Sequence, residues 1–600
     1  MNAPTPSARL DDHWDDGPPG ASGADALDQL VYLSNLIGRE ARLVQPGGGN
    51  TSTKIGDALL VKGSGTDLRT IGRSGFTRLS LPALAALRTA DSMRDDEMMR
   101  FMAQCMTEPG GPTPSVETPL HSLLPHPVIA HTHDVATMSL TNVTDATAEH
   151  LVGDVLGGEI VYVPYVRPGF PLAQAVSRMV DRLPPGTIGL ALAHHGLMVW
   201  ADDAHECYAR LLRVVNRIED YLATKRRGRA RPALVADRRP PADLRRRCAE
   251  IVLPAVRGAL GAASRVILHF DDGDDVLSAL ADTRMQEVTR RGMATPEHIL
   301  RAGRLPLWLG IDPLAAPDAL AAAVRTQLAS QHAEYEAYHA RHAAADERPL
   351  DDWAKVVLVP GLGMITASRD KRGAIIASAC YRATFEAIAN AEVIDAFRFI
   401  AESEVFEFEH WPLERRKIDE QDAREGATLL LPRHVAVVLG GGSGIGKAAA
   451  HRFAKEGAHV VVADVDGPAA QAVASEIGLT YKDRAIGVEL DVRDDASLAH
   501  LVQETVLAFG GIDSLFYTAG QAPRFAGVTA LRRDDLQRQL DVHYLGAVLA
   551  MGAVASVMQR QQLGGSIVAS VSKAALAPGR DAAAYGGSKA ALLQAMRVAA

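Results

Sequence analysis

Two folds of mixed α/β class in series are predicted from three observations on this 600-residue chain. Up to about Lys225, short apolar runs alternate with stretches of helical periodicity, the pattern of one compact α/β domain. From Arg433 onward, apolar runs of four or five residues recur between helical stretches, which is the signature of a doubly wound parallel sheet. A helix-rich extension lies between them. Length alone allows about three to five domain-sized units.

In chain order, the first 24 residues, rich in Pro, Asp and Gly at their start and without an apolar core, read as a disordered tail and not a secretory signal. Helical spacing begins near Ala24 with Leu27, Leu30, Val31, Leu33 and Ile37. Ala58–Val61, Val128–Ala130 and Glu159–Val163 read as strands of a domain spanning 25–225. The basic run Lys225–Arg229, with Pro232 and Pro240-Pro241 nearby, reads as a solvated linker. The extension, 226–425, is helix-rich through Ala343, carries a strand at Val356–Val359 and then a long helix over 372–400. In it, Thr295-Pro296 marks a helix start, and His298, Arg301 and Arg304 read as a solvated face or as inter-domain salt links, with a substrate-phosphate contact as the alternative. The last domain, 433–600, has strands at Val435–Leu439, Val460–Ala463, Ile486–Leu490, Ser514–Tyr517 and Ser566–Ala569.

Composition excludes several classes. A net charge of −9 argues against a nucleic-acid binder. Four scattered cysteines with no CxxC do not make a disulfide framework, so a reducing cytoplasm is expected. No stretch approaches about 18 uninterrupted apolar residues, so no membrane span is expected.

Chemistry concentrates in two places. His131-Thr132-His133 closes an apolar strand, and strand residues two apart share a face, so both imidazoles reach one ion. His194-His195-Gly196 follows a second apolar run, and adjacent strand residues point oppositely, so one of the two histidines joins the pair. Three histidines and an open position form a catalytic zinc pattern. Glu117 is placed to complete the shell or to act as a base. The loops Gly47–Thr53 and Lys62–Thr66 are small and donor-rich, suited to cradling a phosphate or simply to turning the chain.

Over about residues 25–225 these motifs resemble the class II aldolase/adducin family. The resemblance implies that Gly49-Asn50 and Ser64-Gly65 grip a substrate phosphate with Ser115, that Glu117 is the acid/base, and that His131, His133 and His195 hold Zn²⁺ or another divalent metal. The family's second serine is Val116 here. With the extension, the region resembles the long-form aldolase of bifunctional rhamnose-utilisation proteins. That implies cleavage of a ketose 1-phosphate, rhamnulose 1-phosphate in particular, to dihydroxyacetone phosphate and lactaldehyde, and a homo-oligomer, with a tetramer as one form.

The second concentration begins with Gly440, Ser443, Gly444, Ile445 and Gly446, directly after a strand and opening a helix, where glycines let the backbone approach a pyrophosphate. Asp464, ending the next strand, suits the ribose hydroxyls and disfavours a 2′-phosphate, pointing to NAD. Asp491 is placed to contact adenine. Tyr585 and Lys589 share a helical face, where an ammonium lowers a phenol's pKa. Ser572 lies upstream. This region resembles the short-chain dehydrogenase/reductase family, which implies Ser572, Tyr585 and Lys589 as catalytic residues and Ala519-Gly520 as a cofactor turn. Departures are Leu439 for Thr, Tyr517-Thr518 for Asn-Asn, and His543 for the Asn that supports the lysine. The sequence ends 11 residues after Lys589 (600 − 589), where that family continues, so weak or no redox activity is expected of the chain as given. The alternative to a bifunctional enzyme is a sugar-alcohol or sugar-phosphate dehydrogenase with a non-catalytic, adducin-like assembly domain.

Overall fold

The computed structural model describes residues 9–15, 24–228, 239–312, 314–522 and 525–599. They form two compact units. The first comprises Met1–Ala236, Thr283–Leu305 and Ala379–Arg416; the second comprises Asp237–Asp282, Pro306–Ser378 and Lys417–Ala600. The extension is therefore shared between the units and is not a body of its own. The helices that carry the sites are, in chain order, α1 (Ala26–Arg39), α2 (Thr118–Leu123), α3 (Val135–Thr141), α4 (Ala204–Gly228), α5 (Ala242–Leu260) and α6 (Pro296–Ala302). They continue with α7 (Lys371–Ile394), α8 (Gly444–Lys455), α9 (Asp495–Phe509), α10 (Gly546–Gln561) and α11 (Ala583–Ala599).

The first unit is built on a seven-stranded sheet of β1 (Asn50–Ile55), β2 (Ala58–Lys62), β3 (Phe76–Ser80), β4 (Val128–Thr132), β5 (Ile160–Val163), β6 (Gly189–Leu192) and β7 (Gly196–Ala201). Their order is β3-β2-β1-β4-β7-β6-β5, antiparallel throughout except for the β5–β6 pair. Strands β4 and β7 are buried along their whole length because both faces are covered. Val128 and Ala130 pack with Leu30 and Leu33 of α1 and Leu211 of α4. Ile129 packs on the opposite face with Leu120 of α2, Met98 and Trp200. That alternation puts His131, two residues after Ile129, on the α2 face.

Two expectations are corrected here. Residues 9–15 are docked: Leu10 is buried, its N–H donates to Asn216 and its C=O accepts from Asn216, while Trp14 stacks on His205. The rest of the expected tail falls mostly outside the described residues. The basic run at Lys225 is no linker up to Gly228, because α4 continues through it.

The second unit contains two sheets. One is β8 (Ile267–Asp271), β9 (Leu307–Trp308), β10 (Val356–Val359) and β11 (Gly363–Ser368), ordered β8-β11-β10-β9. The extension is thus α/β and richer in strands than its sequence suggests. The other is β12 (Val435–Leu439), β13 (His459–Asp464), β14 (Ala485–Glu489), β15 (Ser514–Tyr517) and β16 (Ser566–Ala569), ordered β14-β13-β12-β15-β16 and entirely parallel. This is the expected doubly wound sheet. The helical run Arg533–Gln561 is long and apolar enough to cross a membrane by length and composition. Its Val554 and Val557 are nonetheless core residues beside Leu515 of β15, as a parallel sheet's helix layer requires.

Helix α5 joins the same core, with Val252, Leu253 and Val256 packed among Leu501 and Val506 of α9 and Val554 of α10. At Gly258 a Cβ would stand 1.9 Å from the Gln561 carbonyl oxygen, so α5 approaches α10 as closely as glycine allows. Next to it, the fully buried guanidinium of Arg257 donates to the fully buried Asp513 at 2.7 and 3.0 Å. Asp513 also accepts from the Val435 backbone N–H and from Gln561.

Candidate active sites

In the first unit, β4 ends at Thr132 and delivers His131 and His133, while the β6–β7 turn delivers His195. His194 takes a left-handed φ of 53° at that turn and lies beside Tyr165 and Phe399, away from the cluster. All three clustered histidines are buried. Their Nε2 atoms converge, with His131 to His195 at 3.3 Å and His131 to His133 at 3.2 Å. These contacts are not imidazole–imidazole hydrogen bonds. His131 donates its Nδ1–H to the Leu197 carbonyl at 3.0 Å, and His133 Nδ1 faces the Glu297 carboxylate at 3.2 Å, so both Nε2 atoms present lone pairs. Burial drives His131 down to about 4 and His133 well below its usual value, so neither repulsion is relieved by a proton. A tetrahedral ion with metal–nitrogen bonds of about 2.0–2.1 Å spaces its nitrogen ligands roughly 3.3 Å apart. The residues therefore fit a divalent metal, and the three histidines are the one cluster of this kind among the described residues.

Glu117 completes the picture. Its Oε1 lies 3.2 Å from His195 Nε2 and 3.6 Å from His131 Nε2, yet has no hydrogen-bond partner. Burial pulls its carboxyl up, but the contacts with His131 and His195 outweigh burial and hold it well below its usual value. Its Oε2 accepts from Asn50 Nδ2 at 2.6 Å. Asn50 Oδ1 in turn accepts from His121 Nε2, and His121 Nδ1 accepts from the Ser52 hydroxyl at 2.7 Å. Burial takes His121 down to about 3, which keeps it the neutral relay this chain requires. The Asn50 side chain is thus spent on aiming Glu117. Among the other expected phosphate residues, Gly49 (φ +61) abuts the His131 carbonyl. Ser64 N donates to Thr113 O, bringing Ser64-Gly65 alongside the segment that carries Ser115, whose hydroxyl accepts from Glu117 N. Val116 packs against the core around Leu120.

Sequence reasoning missed Glu297 and the burial of Lys62 and His298. Lys62, at the end of β2, is buried; desolvation lowers its pKa against the pull of Glu297 and Glu117. It stood in the Lys62–Thr66 loop, but nothing in that loop marked the side chain as buried. Glu297 and His298 come from α6. His298, expected on a solvated face, is buried, donating to Gln45 Oε1 and accepting from Thr384 at 3.0 Å each. Arg301, one turn on, points its guanidinium at the glycine loop: a Cβ on Gly47 would stand 3.2 Å from Nη2.

In the second unit, Gly440 (φ +77) and Gly444 (φ +52) turn the chain from β12 into α8. At Gly446 a Cβ would meet the Gly440 carbonyl at 2.0 Å, so the turn closes only on glycine. Ser443 is the N-cap and Ile445 is exposed. Asp464 accepts from Gly442 N at 2.9 Å, and Ala519 lies against Gly440. Asp491 is paired with Arg493 at 2.6 Å, so its carboxylate is already engaged. Lys589 is buried, which lowers its pKa, and donates to Ser570 O at 2.9 Å. Ser572, two residues later, accepts from Ala574 N. His543 lies in a π-helical turn, edge-on to Tyr585 with ring centroids 5.3 Å apart. Its Nε2 accepts from Gln521 N, beside Gly520, and its Nδ1–H donates to Ser588 Oγ at 3.0 Å. Both nitrogens are occupied, so His543 ties the Ala519-Gly520 turn to the helix that carries Tyr585 and Lys589.

Comparison with known proteins agrees with both halves. Residues 28–222 match the class II aldolase and adducin N-terminal domain, 247–418 the second domain of class II aldolases, and 434–600 the short-chain dehydrogenases. The uncharacterized oxidoreductase YuxG of Bacillus subtilis (strain 168) is 32% identical over 581 residues, which cover 94% of this chain and 82% of that protein. The chain belongs to the YuxG family. Its domains make it an enzyme with an aldolase part and a short-chain dehydrogenase part. The dehydrogenase part of this YuxG relative is 34% identical over 170 residues to galactitol 2-dehydrogenase of Agrobacterium fabrum, covering 28% of the chain and 64% of that enzyme. The chain thus spans less than two thirds of that relative. The solved N-terminal class II aldolase domain of a conserved protein from Thermoplasma acidophilum is 34% identical, covering 36% of this chain and 99% of that one, with a TM-score of 0.32.

Proposed function

We propose that the first unit is a divalent-metal retro-aldolase for a ketose 1-phosphate, with rhamnulose 1-phosphate the first substrate to test, and that the second unit carries out NAD-linked oxidoreduction of a hydroxy-carbonyl compound or alcohol such as lactaldehyde. The observation that carries the lyase reading is the convergence of three buried imidazole Nε2 atoms beside a Glu117 oxygen that has no hydrogen-bond partner. A metal held by His131, His133 and His195 supplies positive charge that polarises the substrate carbonyl and stabilises the oxyanion developing as the carbon–carbon bond breaks.

The chain's own groups do the rest. Glu117, held ionised and aimed by Asn50, takes up the proton that the substrate hydroxyl loses as the carbon–carbon bond breaks and delivers it to the carbon left as the enediolate. The relay from Ser52 through His121 to Asn50 fixes which oxygen is free, because each donor and acceptor in it has one orientation. Gly49, Ser64, Gly65 and Ser115 offer backbone and hydroxyl donors to the phosphate, and Arg301 faces the same loop. In the second unit, Tyr585 and Lys589 share one helical face beside Ser572 and serve the substrate oxygen, and Asp464 suits the ribose hydroxyls of NAD. The test is release of dihydroxyacetone phosphate from rhamnulose 1-phosphate by the metal-loaded chain, with activity expected for wild type and lost in Glu117→Gln.

A further inference from the structure

We infer that α6, which lies within the segment matching the second aldolase domain, is part of the metal centre: its Glu297 positions His133 for the ion. The inference rests on the lyase reading above. Three observations carry it. Glu297 Oε2 stands 3.2 Å from His133 Nδ1, on the side of the ring opposite the converging Nε2 atoms. A carboxylate there holds the Nδ1 proton, leaves the Nε2 lone pair for the ion and makes the imidazole a stronger ligand. His131 has the Leu197 carbonyl in the equivalent place, whereas His195 Nδ1 has no hydrogen-bond partner, so among the described residues Glu297 is the one carboxylate that serves a ligand in this way.

The second observation is that α6 is locked in position. His298, the residue after Glu297, is buried between Gln45 and Thr384. Gln45 also receives the Gly48 N–H, at the start of the glycine loop. The helix therefore cannot slide without losing two buried hydrogen bonds, and Glu297 is delivered to His133 at a fixed height. The third is the absence of slack around the ring: a Cβ on Gly48 would stand 3.2 Å from His133 Nδ1. The loop packs one side of His133, and the carboxylate fills the remaining approach to Nδ1. Residues 25–225 by themselves thus contain all three ligands but not the group that orients one of them.

The experiment is metal titration of the full chain. Wild type, Glu297→Ala, Glu297→Gln and His133→Ala are stripped with chelator. Zinc is then titrated against a chromogenic chelator, and Co²⁺ is added separately to read the ligand-field spectrum. Outer-shell partners of this kind change metal affinity by about 10- to 100-fold. Glu297→Ala is expected to weaken zinc by that factor and to alter the Co²⁺ bands. Glu297→Gln, whose amide oxygen still accepts from Nδ1–H, should recover part of the affinity. Wild-type affinity and an unchanged cobalt spectrum in Glu297→Ala would overturn the inference. If the alanine variant does not fold, Glu297→Gln decides: weakening of several-fold supports the role and unchanged affinity refutes it. Failure of wild type itself to bind zinc would instead sink the metal-lyase reading, as would His133→Ala binding like wild type.

Discussion

Replacing Asp513 by Ala should release the second unit's core by several kcal/mol, because it strands a charge that no water reaches. Arg257 and Asp513 are both completely buried, and the carboxylate takes two guanidinium hydrogen bonds from Arg257, a third from the partly exposed Arg265, one from Val435 N and one from Gln561. Breaking a buried pair from one side costs about 3–5 kcal/mol, much of it the desolvation of the surviving ion. The loss falls on α5, which the extension supplies, and on β12 and β15, which belong to the parallel sheet, so the two parts should loosen together. Hydrogen exchange on the intact chain reads this strand by strand. At about 1.4 kcal/mol per tenfold, exchange from β12, β15 and α5 should quicken by roughly 150- to 5,000-fold. Asp513→Leu with Arg257→Met, which removes both charges, should recover most of the loss. A change under about tenfold in Asp513→Ala, or one confined to the parallel sheet, would refute the reasoning.

Three other outcomes follow from the same structure. Glu117→Gln should leave zinc affinity within a few-fold of wild type and lower kcat for retro-aldol cleavage by about 10²–10⁴, measured by coupled detection of dihydroxyacetone phosphate. Arg301→Ala should raise KM for a phosphorylated ketose with kcat little changed, since the guanidinium faces the glycine loop; steady-state kinetics separates the two. His459 is buried, its Nε2 accepts from Lys371 N, and burial takes it down to about 3. Unfolded, it binds a proton near 6.5, so its contribution to stability is complete above that value and falls away as pH drops toward 3. Between pH 7.5 and 5.5 it removes about 1.4 kcal/mol, which denaturant unfolding of wild type against His459→Gln detects.

The parallel sheet was legible in the sequence because strands covered on both faces are continuous apolar runs: Val435–Leu439 is identified to the residue. The histidine triad was legible for a different reason, since its members terminate or turn between such strands. What escaped was long-range. Strands β8 and β11 are short and mix Asp, His, Thr and Ser with apolar residues, so neither period stands out. Glu297 and His298 sit on an ordinary helix start, and only packing against residues some 160 to 250 positions earlier makes one a neighbour of His133 and the other a buried brace. Asn50 and Ser52 stood in the glycine-loop motif, but their tie to Glu117 runs through His121, which no motif flagged. The run at Lys225 misled because charge density was read as solvation, whereas α4 simply carries its basic residues at its C-terminal end, where the helix dipole favours them.

The proposed lyase centre consists of His131, His133 and His195, which would hold a divalent metal, and Glu117. Elemental analysis of wild type and His133→Ala, paired with dihydroxyacetone phosphate release from rhamnulose 1-phosphate, tests it most directly. Stoichiometric divalent metal and turnover in wild type, both lost in His133→Ala, are the predicted result. A wild-type chain that takes up no metal after incubation with zinc and releases no product would contradict it.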